Sequence, residues 1–198
     1  MLSGRTTIFI LGGSGTGKSI LAKALSKDLG LSLFQTDTYR VKLQNKSKHN
    51  HSPICRLLDE NSYMKFSQKE LLEIHQEVSR LTWVEFMKDF QKLKRKEKGF
   101  IIEGDDLLPN FIKRLNKLSL PIRSVCLYEG KKEMIEENIR RRDHSFGEKS
   151  VIFKNQILHA YLNGTEIYHE AVKYHIPCVT SRPFPTLTKR VMKILNLK

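Results

Sequence analysis

The stretch that decides the fold is Gly-Gly-Ser-Gly-Thr-Gly-Lys-Ser, at Gly12–Ser19. It matches the pattern Gly-x4-Gly-Lys-Ser/Thr at every defined position. Apolar and β-branched residues at Thr6–Leu11 precede it and predict a buried strand. Leucines recur at four-residue spacing across Leu21–Leu29 and predict an amphipathic helix that begins at Gly17 and stops at Gly30. The sequence therefore predicts a strand, a glycine loop and a helix, in the order that this pattern requires.

The chemistry expected of this loop is phosphate binding. Its glycines allow successive backbone N–H groups to point inward around phosphate oxygens, and the positive end of the following helix is directed at the same atoms. Lys18 supplies a mobile cation for the β- and γ-phosphates, and the Ser19 hydroxyl is suited to ligate Mg²⁺. No Asn-Lys-x-Asp motif, which would read guanine, occurs in the chain. We therefore expect ATP with Mg²⁺ at this loop.

The rest of the chain alternates strand-like runs with helical patterns, which predicts a parallel sheet covered by helices. The further predicted strands are Ser32–Gln35, Gly99–Glu103, Ile122–Leu127 and Ile176–Thr180. The further predicted helices are about 67–94, 107–118, 131–142, 151–174 and 186–195, with Gly164 as a possible break in the fourth of these. Ser67 and Glu70 form a capping box at the start of the first of them. The polar segment at about 42–53 predicts a mobile loop or a weak helix.

The chain carries a formal net charge of +14 and has a pI of about 9.7. Nucleic-acid binding, an anionic small-molecule substrate and a merely basic, solvated surface are all consistent with this charge. The lysines and arginines are spread along the whole chain. Their densest group, at 92–98, lies near the predicted end of a helix, where cations complement the helix dipole without any ligand.

Composition also bears on the compartment. The three cysteines, Cys55, Cys126 and Cys178, show no metal-ligand spacing, and we interpret them as reduced thiols. No apolar run reaches the roughly 18 residues of a membrane span, and the first residues lack the order of a secretory signal. These features predict a cytoplasmic protein without a membrane partner, present as a monomer or a homodimer.

Thr36–Arg40 follows the second predicted strand, at the sheet edge where open α/β sheets bind their ligands. Asp37 is a candidate to hold Mg²⁺ through water or to accept the proton of an acceptor hydroxyl. Arg40 is a candidate to bind an anionic acceptor. The alternative is an aspartate that caps a helix beside a solvated arginine.

Glu103–Asp106 ends the third predicted strand, which we expect beside the strand of the glycine loop. Glu103 is suited there to organise Mg²⁺ and its waters or to orient the acceptor. Gly104 would let the acceptor approach the backbone. Asp105 and Asp106 are further candidates, with capping of the next helix as the alternative.

Arg140–Arg142 precedes a polar segment and is suited to clamp a transferring phosphoryl group from a lid. The alternative is a group of cations that complements the dipole at a helix C-terminus. All three arginines cannot face the site if the helix persists, because consecutive helical residues point about 100° apart. Arg182 follows the fifth predicted strand, and from this position alone we expect it to lie beside the adenine of the nucleotide.

With these residues assembled, the chain resembles the P-loop small-molecule kinases of the nucleoside-monophosphate-kinase type, and among them most the 2-phosphoglycerate kinase-like proteins. Three stretches carry the resemblance, which runs from the first strand to the fifth: Ile10–Ser19, the Thr-Asp-x-x-Arg segment in Gln35–Arg40, and the apolar–Glu-Gly–x4–Pro segment in Ile101–Pro109. The resemblance implies an α/β fold, a P-loop NTPase three-layer sandwich with a five-stranded parallel sheet of order 2-3-1-4-5 and helices on both faces. It implies one domain over residues 1–198, with a helical acceptor insertion at about 42–98 and a lid at about 140–155.

The motifs and the resemblance together assign roles to individual residues. The expected nucleotide-binding residues are Gly13, Ser14, Gly15, Thr16, Gly17, Lys18, Ser19, Ile20, Arg141 and Arg182. The expected catalytic residues are Lys18, Asp37, Glu103 and Arg141. The expected substrate-binding residues are Asp37, Arg40, Glu103 and Gly104, and the expected metal-binding residues are Ser19 and Asp37.

Three functions are consistent with these expectations. The first is an ATP-dependent kinase that acts on a small anionic metabolite. The second, favoured by the net charge, is a kinase that acts on a nucleotide or a nucleic-acid end, with nucleic acid as a partner. The third is an ATP-binding switch without catalysis.

Overall fold

The computed structural model describes residues 6–47, 52–116, 121–142 and 150–197. Within these ranges the strands form one parallel sheet in the order β2-β3-β1-β4-β5. The strands are β1 (Thr6–Leu11), β2 (Ser32–Gln35), β3 (Gly99–Glu103), β4 (Ile122–Tyr128) and β5 (Cys178–Thr180). The predicted order is confirmed, and β1, which leads into the glycine loop, lies at the centre of the sheet.

Helices cover both faces of this sheet, as predicted. They are α1 (Lys18–Leu29), α2 (Thr36–Lys46), α3 (Pro53–Leu58), α4 (Ser62–Lys65), α5 (Gln68–Lys96), α6 (Pro109–Asn116), α7 (Lys132–Arg142), α8 (Val151–Lys173) and α9 (Phe184–Ile194). The alternation of side chains along β1 separates two cores. Ile8 and Ile10 pack with α1 and α9, whereas Phe9 and Leu11 pack with α5, α6 and α8.

The helical segment between β2 and β3 is more regular than the sequence suggests. Helix α2 begins at Thr36, directly after β2, and includes the first part of the polar segment that was expected to be a loop or a weak helix. Short helices α3 and α4 follow. The capping box of Ser67 and Glu70 is confirmed, with both of its hydrogen bonds present at the start of α5.

The possible break at Gly164 does not occur, because α8 continues through this residue. The glycine serves packing instead. A Cβ atom on Gly13 would lie 2.6 Å from the Cα atom of Gly164, so the glycine loop and α8 touch backbone to backbone. A side chain at either position would push the loop away from the helix.

The cysteines agree with their interpretation as thiols. Cys55, Cys126 and Cys178 are free, and Cys126 stands opposite Cys178 across the pairing of β4 with β5. Among the described helices, none combines the length and the apolar composition that a membrane crossing requires.

Candidate active site

The glycine loop connects β1 to α1 at the carboxyl edge of the sheet. Gly15 and Gly17 have positive φ angles of 78° and 85°, which side-chain-bearing residues rarely adopt. The Thr16 hydroxyl donates to the carbonyl oxygen of Gly13 at 2.9 Å, and the Lys18 ammonium donates to the same oxygen at 2.7 Å. The loop is therefore closed on itself by its own side chains, and Lys18 is only 7% exposed.

Two side chains from distant elements fix the outside of the loop. Asn138 of α7 donates from its amide to the carbonyl oxygen of Gly15 at 2.8 Å. Ser181, after β5, donates to the carbonyl oxygen of Thr16 at 2.7 Å. Because these bonds use the outward-facing carbonyl groups, the loop amides stay available for an anion.

A carboxylate lies beside the loop at the end of β3. Glu103 accepts hydrogen bonds at one oxygen from the Ser19 hydroxyl, at 2.8 Å, and from the Gln35 amide, at 2.6 Å. A serine hydroxyl and a carboxylate oxygen are both hard oxygen donors of the kind that Mg²⁺ prefers. The residues present therefore fit a magnesium ion at Ser19 and Glu103, and the expected ligand Asp37 lines the same cleft, paired with Arg40.

A cleft of about 950 Å³ opens above the carboxyl ends of β1, β2 and β3. It is lined on one side by the glycine loop and the start of α1. On the other side lies a group of side chains that we call the acceptor wall: Asp37, Arg40, His75, Asp105, Asp106 and His159. All of these line the cleft except Asp106, which lies buried behind them. The loop and the carboxylates thus share one cavity.

Arg40 is the centre of the acceptor wall. Its guanidinium group pairs with Asp37 on its own helix, with Asp105 at 2.7 Å and with Asp106 at 3.0 Å. The Arg40 side chain is 14% exposed and that of Asp106 is fully buried, while that of Asp37 is 72% exposed at the mouth of the cleft. The arginine that the sequence offered for an acceptor anion is therefore already surrounded by three carboxylates.

The ionisation of this group follows from its charges. Burial opposes the charged form of Asp105, but the nearby Arg40 guanidinium, helped by His75 and Lys18, outweighs burial and holds the pKa of Asp105 below its ordinary value. Burial likewise works against the charged form of Arg40, and the surrounding aspartates outweigh it and raise the pKa of that guanidinium. Arg40 and Asp105 are therefore a firmly charged pair at neutral pH.

Two histidines extend the acceptor wall into the helices. The Nδ1 atom of His75, on α5, lies 3.0 Å from the Nε2 atom of His159, on α8, and the two rings are stacked. The Nε2 atom of His75 lies 3.5 Å from Asp106, which also accepts a hydrogen bond from Ser79. Burial, and then the proximity of His75, lower the pKa of His159 to about 3, so this ring is neutral at physiological pH.

His75, Asp105 and Asp106 offer ligand atoms within 4.8 Å of one another, a grouping that no sequence spacing predicted. Such a set can hold a metal ion in principle. Here both carboxylates pair with the guanidinium group of Arg40, so a fixed cation already balances their charge. The cluster is best described as a buried ion-pair network.

The arginines at the end of α7 diverge, since the helix persists through Arg142. Arg141 and Arg142 line the cleft, whereas Arg140 binds Glu136 and lies over the ring of Phe153. Arg141 also pairs with Glu137 at 2.5 Å. The segment 143–149 of the expected lid lies outside the described residues, as do His49 and His51 of the polar segment.

Most of the predicted site residues line the cleft. They are Ser14, Gly15, Gly17, Lys18, Ser19, Ile20, Asp37, Arg40, Glu103, Gly104 and Arg141. Arg182 is turned instead toward Glu137 and the ring of Phe184. Gly104 has a structural reason to be glycine, because a Cβ atom there would lie 1.8 Å from the Thr36 hydroxyl oxygen. The functional roles assigned to these residues stay predictions.

Sequence reasoning missed the contributions of α5, α7 and α8 to the cleft. His75, His159, Asn138 and Asn163 all line it or fix its loop, yet they come from three helices between positions 75 and 163 and follow no motif. The one signal was polarity at positions where these helices should be apolar. His75, His159 and Asn163 are buried.

The comparison with protein families identifies the domain. The family model described as "ATPase family associated with various cellular activities (AAA)" matches residues 8–149. The chain belongs to this family. The matched part of this AAA domain contains the glycine loop, the acceptor wall up to Asp106 and the start of the predicted lid. The comparison with curated proteins found no match to the chain.

Solved structures similar to this AAA domain are P-loop kinases. The gluconokinase from Sinorhizobium meliloti 1021 has a TM-score of 0.54 and 13% identity over 96% of this chain and 91% of the other. The shikimate kinase from Bacteroides thetaiotaomicron has a TM-score of 0.52 and 15% identity over 97% and 99%. The deoxyadenosine kinase from M. mycoides with bound dATP has a TM-score of 0.52 and 19% identity over 96% and 98%.

At these identities the similarity shows the fold. It confirms the P-loop kinase fold that the sequence resemblance implied, along almost the whole length of the chain. The family and the fold together are those of nucleotide-binding proteins. The identity of the acceptor has to be inferred from the residues that line the cleft.

Proposed function

We propose that the protein is an ATP-dependent phosphotransferase that acts on a small hydroxyl-bearing acceptor. One observation carries the proposal: the glycine loop and a wall of charged and polar side chains line the same cleft of about 950 Å³. A cavity of this size has room for a nucleotide's phosphates and a second small molecule. Phosphoryl transfer depends mostly on positioning and charge neutralisation, and both kinds of residue are present here.

The loop is the proposed nucleotide side. Its amides and the N-terminus of α1 would hold the β- and γ-phosphates of ATP, and Lys18 would leave the Gly13 carbonyl to reach them. Ser19 and Glu103 would hold Mg²⁺, directly or through its waters. When bound, Mg²⁺–ATP supplies the transferable phosphoryl group and an electrophilic phosphorus whose charge is partly neutralised.

Asp37 is the proposed residue that orients the acceptor. Glu103 already accepts two hydrogen bonds, from Ser19 and Gln35, whereas the Asp37 side chain is 72% exposed in the cleft and pairs with Arg40. An exposed carboxylate at hydrogen-bonding reach of a hydroxyl group can take up its proton as the new P–O bond forms. Arg40 fixes the position of this carboxylate from behind.

The arginines of α7 are proposed to act from the opposite side. Arg141 and Arg142 line the cleft, and a cation there would stabilise charge on the transferring phosphoryl group. We propose that residues 1–198 form one domain, that about 42–98 is the acceptor insertion, and that about 140–155 is the lid. Exclusion of water by such a lid would keep ATP from being hydrolysed.

One rival is favoured by a specific observation. The family description speaks of ATPases, for which water is the acceptor and no acceptor wall is required. The other rivals are a nucleotide or nucleic-acid-end kinase and an ATP-binding switch. Each differs from the proposal in what stimulates ATP consumption.

The test is ATP consumption with Mg²⁺ across small hydroxyl compounds, their acidic derivatives, nucleoside monophosphates and short oligonucleotides. The proposal expects one class of small molecule to raise turnover sharply over the rate without acceptor. Stimulation by oligonucleotides, with steep salt dependence, would select the nucleic-acid reading. Turnover that no compound raises would favour the ATPase or, with tight ATP binding and slow hydrolysis, the switch.

A further inference from the structure

We propose that the acceptor is an uncharged polyhydroxyl compound, without a phosphate or carboxylate group, which reverses the sequence-based expectation of an anionic metabolite. The inference rests on the proposed phosphotransferase function and names the substrate class of the same cleft. Two independent observations carry it: the charge balance of the acceptor wall, and an unpartnered ring nitrogen on a buried histidine.

The expectation of an anionic acceptor depended on Arg40. In the folded protein this guanidinium group is paired with Asp37, Asp105 and Asp106, and its side chain is largely buried. An acidic group brought to Arg40 would have to displace one of these carboxylates or sit beside them. Like charges at such short range cost several kcal/mol, so Arg40 is a poor anion receptor in this setting.

The rest of the acceptor side of the cleft is also negatively charged. Among the described cleft-lining residues of α2–α5, the β3 end and α8, Arg40 is the one lysine or arginine. Besides Glu103, the proposed Mg²⁺ ligand, three carboxylates line the same surface: Asp37, Glu60 and Asp105. The other lysines and arginines that line the cleft come from the loop, α1 and α7, and so belong to the nucleotide side. This surface therefore repels anions, although the whole chain carries a charge of +14.

His159 supplies the second observation. It lines the cleft, it is 4% exposed, and its Nδ1 atom has no hydrogen-bond partner among the described residues. The contact between the two histidines uses the Nε2 atom of His159, so Nδ1 is the ring nitrogen left for a ligand. A hydroxyl group can pair with this atom in either tautomer of the ring, because a hydroxyl group both donates and accepts.

The neutral polar residues around His159 fit hydroxyl groups as well. Gln44, Tyr63, Gln156 and Asn163 line the cleft from α2, α4 and α8, and the Gln156 carbonyl oxygen has no partner among the described residues. Amide and phenol groups both donate and accept, so they can serve several hydroxyl groups of one compound. A buried polar group without a hydrogen-bond partner is unfavourable, and this favours an acceptor rich in hydroxyl groups.

The experiment compares matched acceptors in ATP consumption with Mg²⁺. A sugar is paired with its sugar acid and its sugar phosphate, and a nucleoside with its monophosphate. We expect the uncharged member of a pair to give the higher kcat/KM by roughly tenfold or more. Preference for the acidic member would overturn the inference and leave the phosphotransferase intact. If no member of any pair raises turnover, the proposed function fails, and the inference fails with it.

Two variants test the charge argument itself, through the ratio of kcat/KM for the acidic and uncharged members of a pair. Asp105→Asn releases part of Arg40 and should raise this ratio roughly tenfold, while Asp106 and Asp37 still pair with Arg40. Glu60→Gln, at an exposed position, should raise it less without endangering the fold. The matched control Asp28→Asn makes the same charge change on the exposed surface of α1 and should leave it unchanged. Equal ratios in all three variants and the wild type would contradict the inference.

Discussion

The glycine loop and the acceptor wall face each other across one cleft, but they are built in different ways. In the loop, the bonds that close the structure join residues three and five positions apart, from Thr16 and Lys18 to Gly13. In the wall, Arg40 binds Asp105 across 65 positions, and His75 contacts His159 across 84. The loop is therefore a local structure, whereas the wall exists only after α2, α5, α8 and β3 have come together.

The difference predicts how each half responds to change. The Lys18 ammonium group donates its hydrogen bond to the loop itself, so loss of this side chain removes a ligand group and little of the core. Arg40 links two elements and neutralises buried charge, so its loss affects the fold and the site together. Substitutions on the two sides should therefore separate into effects on activity and effects on stability.

The largest effect is expected for Arg40→Ala. It leaves the buried Asp106 and the largely buried Asp105 without their guanidinium partner, so the free energy of unfolding should fall by about 3–5 kcal/mol. Urea denaturation measures this. Arg141→Ala is the control, because that side chain is 73% exposed and should cost no more than about 0.5 kcal/mol. Equal, small losses in both variants would show that ion pairs do not organise the wall.

Lys18→Ala should separate activity from stability on the other side of the cleft. Removal of a cation from the phosphates should lower the rate of ATP-dependent transfer by about 100- to 1000-fold, while the melting temperature changes little. The control Lys27→Ala removes an exposed lysine from the last turn of α1. Wild-type turnover in Lys18→Ala would mean that the glycine loop does not hold the reacting phosphates.

Gly13→Ala probes the place where the backbone of the loop packs directly against the backbone of α8. The added methyl group would lie 2.6 Å from the Cα atom of Gly164, so the loop or α8 must shift, at about 1–3 kcal/mol of unfolding free energy. Gly130→Ala is the control, since its methyl group would meet only the Tyr128 ring, at 3.3 Å. Denaturation that does not distinguish the two variants would argue that the loop is independent of α8.

The smallest effect concerns pH and the buried histidine of the wall. The folded-state pKa of His159 is lowered to about 3, from an ordinary value of 6.5, so between these values the unfolded chain binds a proton that the folded protein does not. Stability should therefore fall as the pH drops below about 6.5, by about 1 kcal/mol from His159 between about pH 7 and about pH 5.5.

Urea denaturation at the two pH values tests this contribution. His159→Gln should show a smaller loss of stability on acidification than the wild type. The control His169→Gln, at an exposed position on the same helix, should keep the full loss. A wild-type loss in His159→Gln would show that this histidine is not held neutral by its surroundings.

The sequence predicted the sheet and the strand, glycine loop and helix at Thr6–Leu29 well. The strand order, which the family resemblance implied, is confirmed, and so is the capping box at Ser67, because capping chemistry acts over a few residues. The boundaries of β5 and α9 differed by two residues, as helix and strand ends depend on neighbouring contacts. Helices α3 and α4 were not predicted, because each is too short to show an apolar periodicity of its own.

The sequence could not predict the state of Arg40. An arginine three residues after an aspartate is consistent with a free anion receptor and with a solvated residue, and both readings were open. Only the approach of β3 to α2 brings Asp105 and Asp106 to the guanidinium group. The same holds for His159, whose neutral ring is a consequence of burial against α5.

By itself, the sequence predicted a phosphate-binding loop at Gly12–Ser19 and a parallel α/β sheet. Glycine conformations, a helix N-terminus and a lysine within eight consecutive residues specify that site, and no distant contact is needed to recognise it. The tertiary structure alone decided the electrostatic character of the acceptor half. Charges from β3 and α2 reinforce or cancel one another only at distances of a few ångströms, and those distances are set by the packing of helices that lie far apart in the chain.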